Sequence, residues 1–260
     1  MKKSLLDVLF MSEKRKNALL LLQDGHQEME YLLKSLNNNR QALLPQMKVL
    51  EEHYLVDHYG DTYELTTIGK QIVDEMIPLL KTLDVFDADV DYWGIHDLGF
   101  IPPHLLERID ELGECRIMNP PTEKMYEAHN DITETSIQYH FSITTFFYPN
   151  FRDIFSQIIS KGAEMHVILS QSLFNKLRID NYNDVKELLS NDLVHFYVYP
   201  KKLNLLSFVY NEQMVMISPL KSNGTFDNKH ILSETPSAIN WAREVFEYYL
   251  KDSTPVAELQ

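Results

Sequence analysis

Apolar positions in the first ninety residues recur at helical spacing. Leu5, Val8 and Leu9 are followed by Ala18, Leu19 and Leu22, a stripe that a helix buries against its neighbours. Ser12 suits an N-cap and Glu13 a first turn, so a helix over 12–22 is expected, ended by Asp24-Gly25. Met29, Leu32, Leu33 and Leu36 predict a second helix over 27–36, followed by a turn at Asn37-Asn38-Asn39. Asn39 can cap a third helix running to about His53, with Leu43, Met47 and Leu50 inward. Pro45 has no amide hydrogen and is tolerated only in a first turn, which starts this helix between Arg40 and Leu43. Leu55-Val56 and Tyr63 to Leu65 then read as strands around a Tyr59-Gly60-Asp61 turn, a β-hairpin. Thr66 or Thr67 caps a long helix or helix pair from Ile68 to about Trp93, with Pro78 a kink point and the acidic stretch from Asp84 to Asp91 a break.

From Asp97 the pattern alternates between strand and helix. Helices are expected over 104–112, 150–161, 172–177, 182–190 and 239–250. Strands are expected over 115–118, 137–147, 165–169 and 193–199, with a hairpin from Leu205 to Tyr210 and Met214 to Ile217 turning at Asn211-Glu212. That order implies an α/β domain with a central sheet.

Composition narrows the function. The 260 residues are 44% hydrophobic and 24% charged, which excludes wholesale disorder. Only 8 Gly argue against glycine-rich nucleotide loops, and the single Cys115 excludes a disulfide framework and a cysteine-based zinc site. The longest aliphatic run, Ala18 to Leu22, is far short of the roughly 20 residues that span a bilayer. The first residues lack a signal-peptide core. A soluble, cytoplasmic protein with no membrane association is expected. Net charge is −14, which argues against non-specific coating of nucleic acid. Residues 1–50 nevertheless carry 8 Lys and Arg against 5 Asp and Glu, whereas residues 86–260 carry 14 against 25. A basic head can still dock on phosphate, because exposed charges beyond about 10 Å are screened at 0.1 M salt.

Three helices, a hairpin and a fourth helix within about 75 residues describe a winged helix-turn-helix. The run LLPQMKVLEEHYLVDHYGDTYELTTIG, Leu43 to Gly69, resembles the recognition helix and wing of archaeal and bacterial winged-helix regulators. Leu50…Leu55-Val56 is the step into the wing and Leu65-Thr66-Thr67-Ile68-Gly69 the exit. One departure is His53-Tyr54, where such proteins commonly have a Gly before the leucine. Further along, FFYPNFRDIF (Phe146 to Phe155), KGAEMHVILS (Lys161 to Ser170), LSFVYNEQMVMISPL (Leu206 to Leu220), NGTFD (Asn223 to Asp227) and AINWAREVFEYY (Ala238 to Tyr249) resemble the sensor half of the methanogenesis-regulator family. Such halves look like a phospholipase-D-type α/β fold stripped of its catalytic residues. The resemblance implies a dimeric, ligand-responsive DNA-binding regulator.

The chemistry can be tested against that expectation. None of the ten His has Lys two residues on, as phospholipase-D chemistry requires. There is no His-Glu-x-x-His helix, Gly-x-Ser-x-Gly elbow or Walker loop. Cys115 beside a strand reads as a small core residue before a nucleophile or redox sensor. No catalytic residue, cofactor or metal site is therefore assigned. For double-stranded DNA, Arg40 and Gln41 stand where side chains first enter a major groove and can bond guanine and adenine edges. Gln46 and Lys48 lie further along the helix, Lys34, Asn38 and Asn39 suit phosphate, and His58 and Tyr59 sit near the wing tip. Asp57 and Asp61 make the wing weakly acidic, so it should add little minor-groove affinity. Aromatic and hydroxyl side chains near strand ends, His140, Thr144, Tyr148, Ser170, Tyr210, Phe226 and Trp241, are candidates for an effector pocket. Acidity favours a small-molecule effector that is a cation or polyamine, with Asp227 the first carboxylate to test, although acidity also serves plain solubility.

The expected fold class is α+β. A winged helix-turn-helix DNA-binding domain covers 1–75, a linker and dimerisation helix 76–96, and an α/β ligand-sensing domain 97–260 of a homodimer. The rivals are a protein-interaction module built on a winged helix and a cryptic phosphodiesterase-like enzyme.

Overall fold

The structure, a computed structural model, describes residues 3–121 and 137–257. The chain divides into two compact units, Met1–Leu80 and Lys81–Gln260. No helix among the described residues is long and apolar enough to cross a membrane.

In the first unit α1 (Leu5–Phe10) and α2 (Glu13–Leu21) precede a two-residue strand, β1 (Gln27–Glu28), and α3 (Met29–Ser35). Then come α4 (Arg40–Glu52), β2 (Val56–Tyr59), β3 (Thr62–Leu65) and α5 (Thr67–Asp87). Leu19, Leu22, Leu32, Leu43, Met47, Leu50, Leu55 and Val73 have no more than 1% of their surface exposed and form one core. The spacing expected for the third helix is the spacing that α4 buries. The second helix is shorter than expected. Gln27 and Glu28 pair antiparallel with Tyr63 and Thr62, so the hairpin is a three-stranded sheet in the order β1-β3-β2. Two residues are too few for alternation to show in sequence.

Pro45 is the sixth residue of α4, beyond the first turn that was expected to hold it. It cannot donate to the Gln41 carbonyl, one turn earlier on the exposed side. The helix leaves through a Schellman arrangement. The Leu55 amide donates to the Leu50 carbonyl at 3.0 Å and the Tyr54 amide to Glu51 at 2.9 Å. Tyr54 holds the left-handed position, φ +57°, that glycine commonly fills. The exit motif has an equally local cause. The Thr66 hydroxyl donates to the Tyr54 carbonyl at 2.6 Å and accepts the Gly69 amide at 2.9 Å, so it caps α5. A Cβ on Gly69 would stand 2.0 Å from the Leu55 carbonyl oxygen, which only glycine avoids.

In the second unit α6 (Val90–Ile95) and α7 (Pro103–Leu106) are followed by a 3₁₀ turn (Ile109–Leu112) and β4 (Cys115–Met118). Beyond 136 come β5 (Tyr139–Thr144), α8 (Phe151–Ser160), β6 (Glu164–Ser170), α9 (Gln171–Asp180), α10 (Tyr182–Leu189) and β7 (Val194–Tyr199). The rest is β8 (Leu205–Tyr210), β9 (Val215–Pro219), β10 (His230–Ser233), α11 (Pro236–Lys251) and β11 (Thr254–Pro255). The strands form one eight-stranded sheet, β11-β7-β6-β5-β8-β9-β10-β4. Within it β7, β6 and β5 are parallel, and the remaining pairs are antiparallel. Both faces are covered. Ile143, Ile168, Phe208 and Ile217 pack with Trp241 and Phe246 of α11, whereas Val167, Leu169, Val209 and Met216 pack with Phe155, Leu173 and Val185 on the other side.

Two points differ from expectation. The helix expected over 104–112 splits after Leu106, and the Leu105 carbonyl accepts the Trp241 indole N–H at 2.9 Å. The strands β10 and β11 were not anticipated; His230 to Ser233 is too short a run to stand out. The helix from Thr67 continues past Pro78 to Asp87 and breaks within the acidic stretch, as expected, where Asp89 caps α6 by accepting the Tyr92 amide.

Candidate functional site

The outward face of α4 is the candidate nucleic-acid interface. Arg40, Gln41, Pro45 and Lys48 are exposed on it, opposite the buried Leu43, Met47 and Leu50. Asn39 fixes where the helix begins, its side-chain oxygen accepting the Ala42 amide at 2.9 Å. Asn38 accepts the Asn39 amide at 3.2 Å. Both asparagines thus use their oxygens on the backbone, while Lys34 on α3 is exposed and has no such duty.

Arg40 does not project alone. Its guanidinium makes a two-pronged ion pair with Asp61 at the hairpin turn, with Nη1 3.0 Å from Oδ2 and Nη2 on Oδ1. Both side chains are about half exposed, at 55% and 50%. The pair raises the Arg40 pKa, through the hydrogen bond first and the charge second. Gln46 is not on the outer face in any useful sense. Its side-chain oxygen accepts the Arg15 guanidinium at 2.7 Å, and Arg15 also donates to the Val8 and Asp7 carbonyls at 2.6 and 3.0 Å. Arg15 is buried, so it joins α1 and α2 to α4 and offers no charge to a phosphate. His58 pairs with Glu51 at 3.1 Å and stacks on Tyr63, with centroids 5.5 Å apart. Tyr59, at the wing tip beside Gly60 (φ +63°), is 75% exposed.

The eight candidate effector residues do not share one pocket. Tyr148 lines a cavity of about 380 Å³ at the carboxyl ends of β5 and β6, with Thr145, Phe147, Ser172 and Lys176. Thr144 and Ser170 end those strands but serve the backbone: Thr144 donates to the Phe146 carbonyl at 2.6 Å and Ser170 caps α9. Tyr210 lines a different cavity, of about 410 Å³, with Phe141, His166, Tyr197, Arg243 and Phe246. Burial pushes the Tyr210 hydroxyl pKa up. Trp241 has no exposed surface and is a core residue; His140 is buried in β5 beside Met165 of β6.

Phe226 and Asp227 belong to a third place. Asp227 contacts the buried His96 at 3.3 Å and Lys221 at 3.4 Å. Burial raises its pKa, but the His96 hydrogen bond and the two neighbouring charges outweigh it, so the carboxyl stays below its usual range. Its charge is already partnered, which makes it a poor lone receptor for a cation. Phe226 packs against His230 at 5.5 Å. Ser207 donates to Ser218 at 3.0 Å, and the Ser218 hydroxyl lies 2.7 Å from His230 Nδ1, all three being buried. Burial drives the His230 pKa down to about 4. Cys115 is half-buried, its thiol lies on the Val85 carbonyl, and burial pushes its pKa up, away from nucleophilic use.

One cluster escaped the sequence reading. Glu164 and His166 of β6 and His195 of β7 bring three ligand-type atoms within 4.8 Å of one another. The signal was a Glu-x-His pair on a strand, which alternation puts on one face, and a second His at the start of the next strand.

Comparison with known proteins adds a family. Residues 3–84 match the family described as Methanogenesis regulatory protein FilR1, N-terminal domain, and residues 122–252 match its middle domain. Over 254 residues the chain is 24% identical to the Methanogenesis regulatory protein FilR1 of Methanothrix harundinacea (strain 6Ac). That alignment covers 95% of this chain and 57% of the relative, so the chain spans little more than half its length. Among solved structures, TrmBL2, an archaeal chromatin protein with a novel mode of DNA binding, aligns with a TM-score of 0.45 at 13% identity over 97% of each chain. The phospholipase D family member Nuc from Salmonella typhimurium aligns with a TM-score of 0.42 at 6% identity, over 56% of this chain and 99% of its own. Likeness at these scores carries no weight for function.

Proposed function

Because the chain belongs to the FilR1 family of methanogenesis regulatory proteins, we propose that it is a DNA-binding transcription regulator. The first unit reads duplex DNA and the second takes an effector. The observation that carries the reading is the polar, exposed outward face of α4 beside the hairpin. Lys34 and Lys48 contact phosphate, and Arg40 and Gln41 reach base edges in the major groove. Arg40 exchanges Asp61 for the two acceptors of guanine, O6 and N7, which suit the same planar fork. Asp57 and Asp61 keep the wing from adding minor-groove affinity.

The active species is a homodimer. Leu79 and Leu83, one turn apart on α5, are 48% and 45% exposed, an apolar stripe suited to a second copy. Effector binding shifts the population between two spacings of the recognition helices. The chain is not an enzyme in this reading, in keeping with the regulatory family and with the lack of any His-x-Lys pair.

A protein-binding role for the winged helix is the second reading, favoured by the internal use of Arg15 and Arg40. Anisotropy with duplex from upstream of the chain's own gene, at 50 to 200 mM salt, separates the two. A DNA-reading α4 gives a steep salt dependence and loses affinity on Arg40→Ala or Gln41→Ala. Flat salt dependence, with neither substitution mattering, overturns the reading.

A further inference from the structure

We propose that Glu164, His166 and His195 form a binding site for a first-row divalent transition-metal ion that keeps at least one coordination position open. This goes beyond the regulatory reading and does not depend on it.

The backbone assembles the site. The parallel strands β6 and β7 are in register at His166 and His195, and Glu164 lies two residues before His166, on the same face of the sheet. Glu164 Oε1 is 3.1 Å from His166 Nε2 and 3.0 Å from His195 Nε2. Two ligands each about 2.1 Å from one ion, at octahedral or tetrahedral angles, stand roughly 3.0 to 3.4 Å apart. The carboxylate and each imidazole are thus already at the spacing of two corners of a coordination polyhedron.

The rings are held ready for it. His166 stacks on His195 at 4.7 Å and on Phe141 at 4.9 Å, which fixes its plane. Its other nitrogen, Nδ1, is 3.3 Å from the Tyr197 hydroxyl, the kind of outer partner that orients a metal-ligating histidine. Two imidazoles and one carboxylate suit zinc, iron(II), cobalt(II) or nickel(II); calcium and magnesium prefer all-oxygen sets. The side chains are 38%, 20% and 38% exposed for Glu164, His166 and His195, so an ion can enter. The adjoining cavity, which His166 and Tyr197 line, leaves room for the open position.

The arrangement could instead be a carboxylate oxygen accepting two imidazole N–H groups and nothing more. Calorimetric titration of the untagged, metal-free full chain with Zn²⁺ decides, together with the visible spectrum on adding Co²⁺. The expected result is one ion per chain and a Co²⁺ spectrum of mixed nitrogen and oxygen ligation. Affinity should fall at least about tenfold in both His195→Ala and Glu164→Gln, with tenfold excess Mg²⁺ failing to displace the ion. Circular dichroism and the melting temperature without metal confirm that each variant is folded; should one fail, His195→Gln takes its place. Affinity of roughly millimolar or weaker, or tight binding and a spectrum unchanged in the folded variants, overturns the site.

Discussion

The guanidinium of Arg40, on the first turn of α4, and the carboxylate of Asp61, at the hairpin turn, satisfy each other. Arg40 is therefore spoken for inside its own domain before any nucleic acid arrives. Asp61→Asn removes the competitor without removing the arginine. Affinity for duplex at 50 mM salt is expected to rise about three- to tenfold, and the preference for guanine at the position Arg40 reads to hold or sharpen, as a freed base-edge contact would produce. Arg40→Ala should weaken binding in both backgrounds. Anisotropy titrations with the parent duplex and with single-base variants of it check this, and an affinity and base preference unchanged in both Asp61→Asn and Arg40→Ala would show that Arg40 does not meet DNA.

Tyr54 sits at φ +57°, where an L-residue is strained by about 1 kcal/mol relative to glycine. Tyr54→Gly should stabilise the first unit by about that amount. Denaturant unfolding followed by circular dichroism reads it as a raised midpoint at unchanged slope.

The opposite sign is expected one helix further on. Gly69→Ala drives a methyl into the Leu55 carbonyl, a backbone atom that cannot rotate away. A loss of about 3 kcal/mol or more is expected, at the upper end of overpacking effects. A variant that melts with the parent would mean that the α4-to-α5 junction is looser than described.

His230 gives a pH signature. Its folded pKa is about 4 against an ordinary 6.5, because burial disfavours the imidazolium. The unfolded chain therefore takes up a proton that the folded chain refuses. Stability from this source is complete above about pH 6.5 and drains away as the pH falls toward 4, by about 3 kcal/mol in all. His230→Gln should flatten the stability curve across that window whatever it does to stability at neutral pH. A curve as steep as the parent's would place the acid sensitivity elsewhere.

Much of this was legible in the chain. Leu43, Met47 and Leu50 marked α4 because a helix that buries one face must repeat at that spacing. The strands of the second unit showed as apolar runs because both faces of the sheet are covered. The failures were those where the deciding partner lies far away in sequence. Gln46 looks like any outward polar residue until Arg15, 31 positions earlier, claims its oxygen. Asp227 looks like a free carboxylate until His96, 131 positions earlier, is seen beside it. Trp241 was a plausible ligand platform by type, and only the 3₁₀ turn and α7 show that it fills the core. The Glu164 cluster needed strand register, which one sequence does not reveal.

The Thr66 hydroxyl works as a rivet. One oxygen atom clasps the carbonyl of Tyr54, just past the end of α4, and starts α5. With Gly69 lying flush against Leu55, main chain meets main chain at the joint between the end of α4 and the start of α5. A change at Thr66 or Gly69 therefore disturbs the exit of α4 and the start of α5 together, because one junction of main-chain contacts serves both.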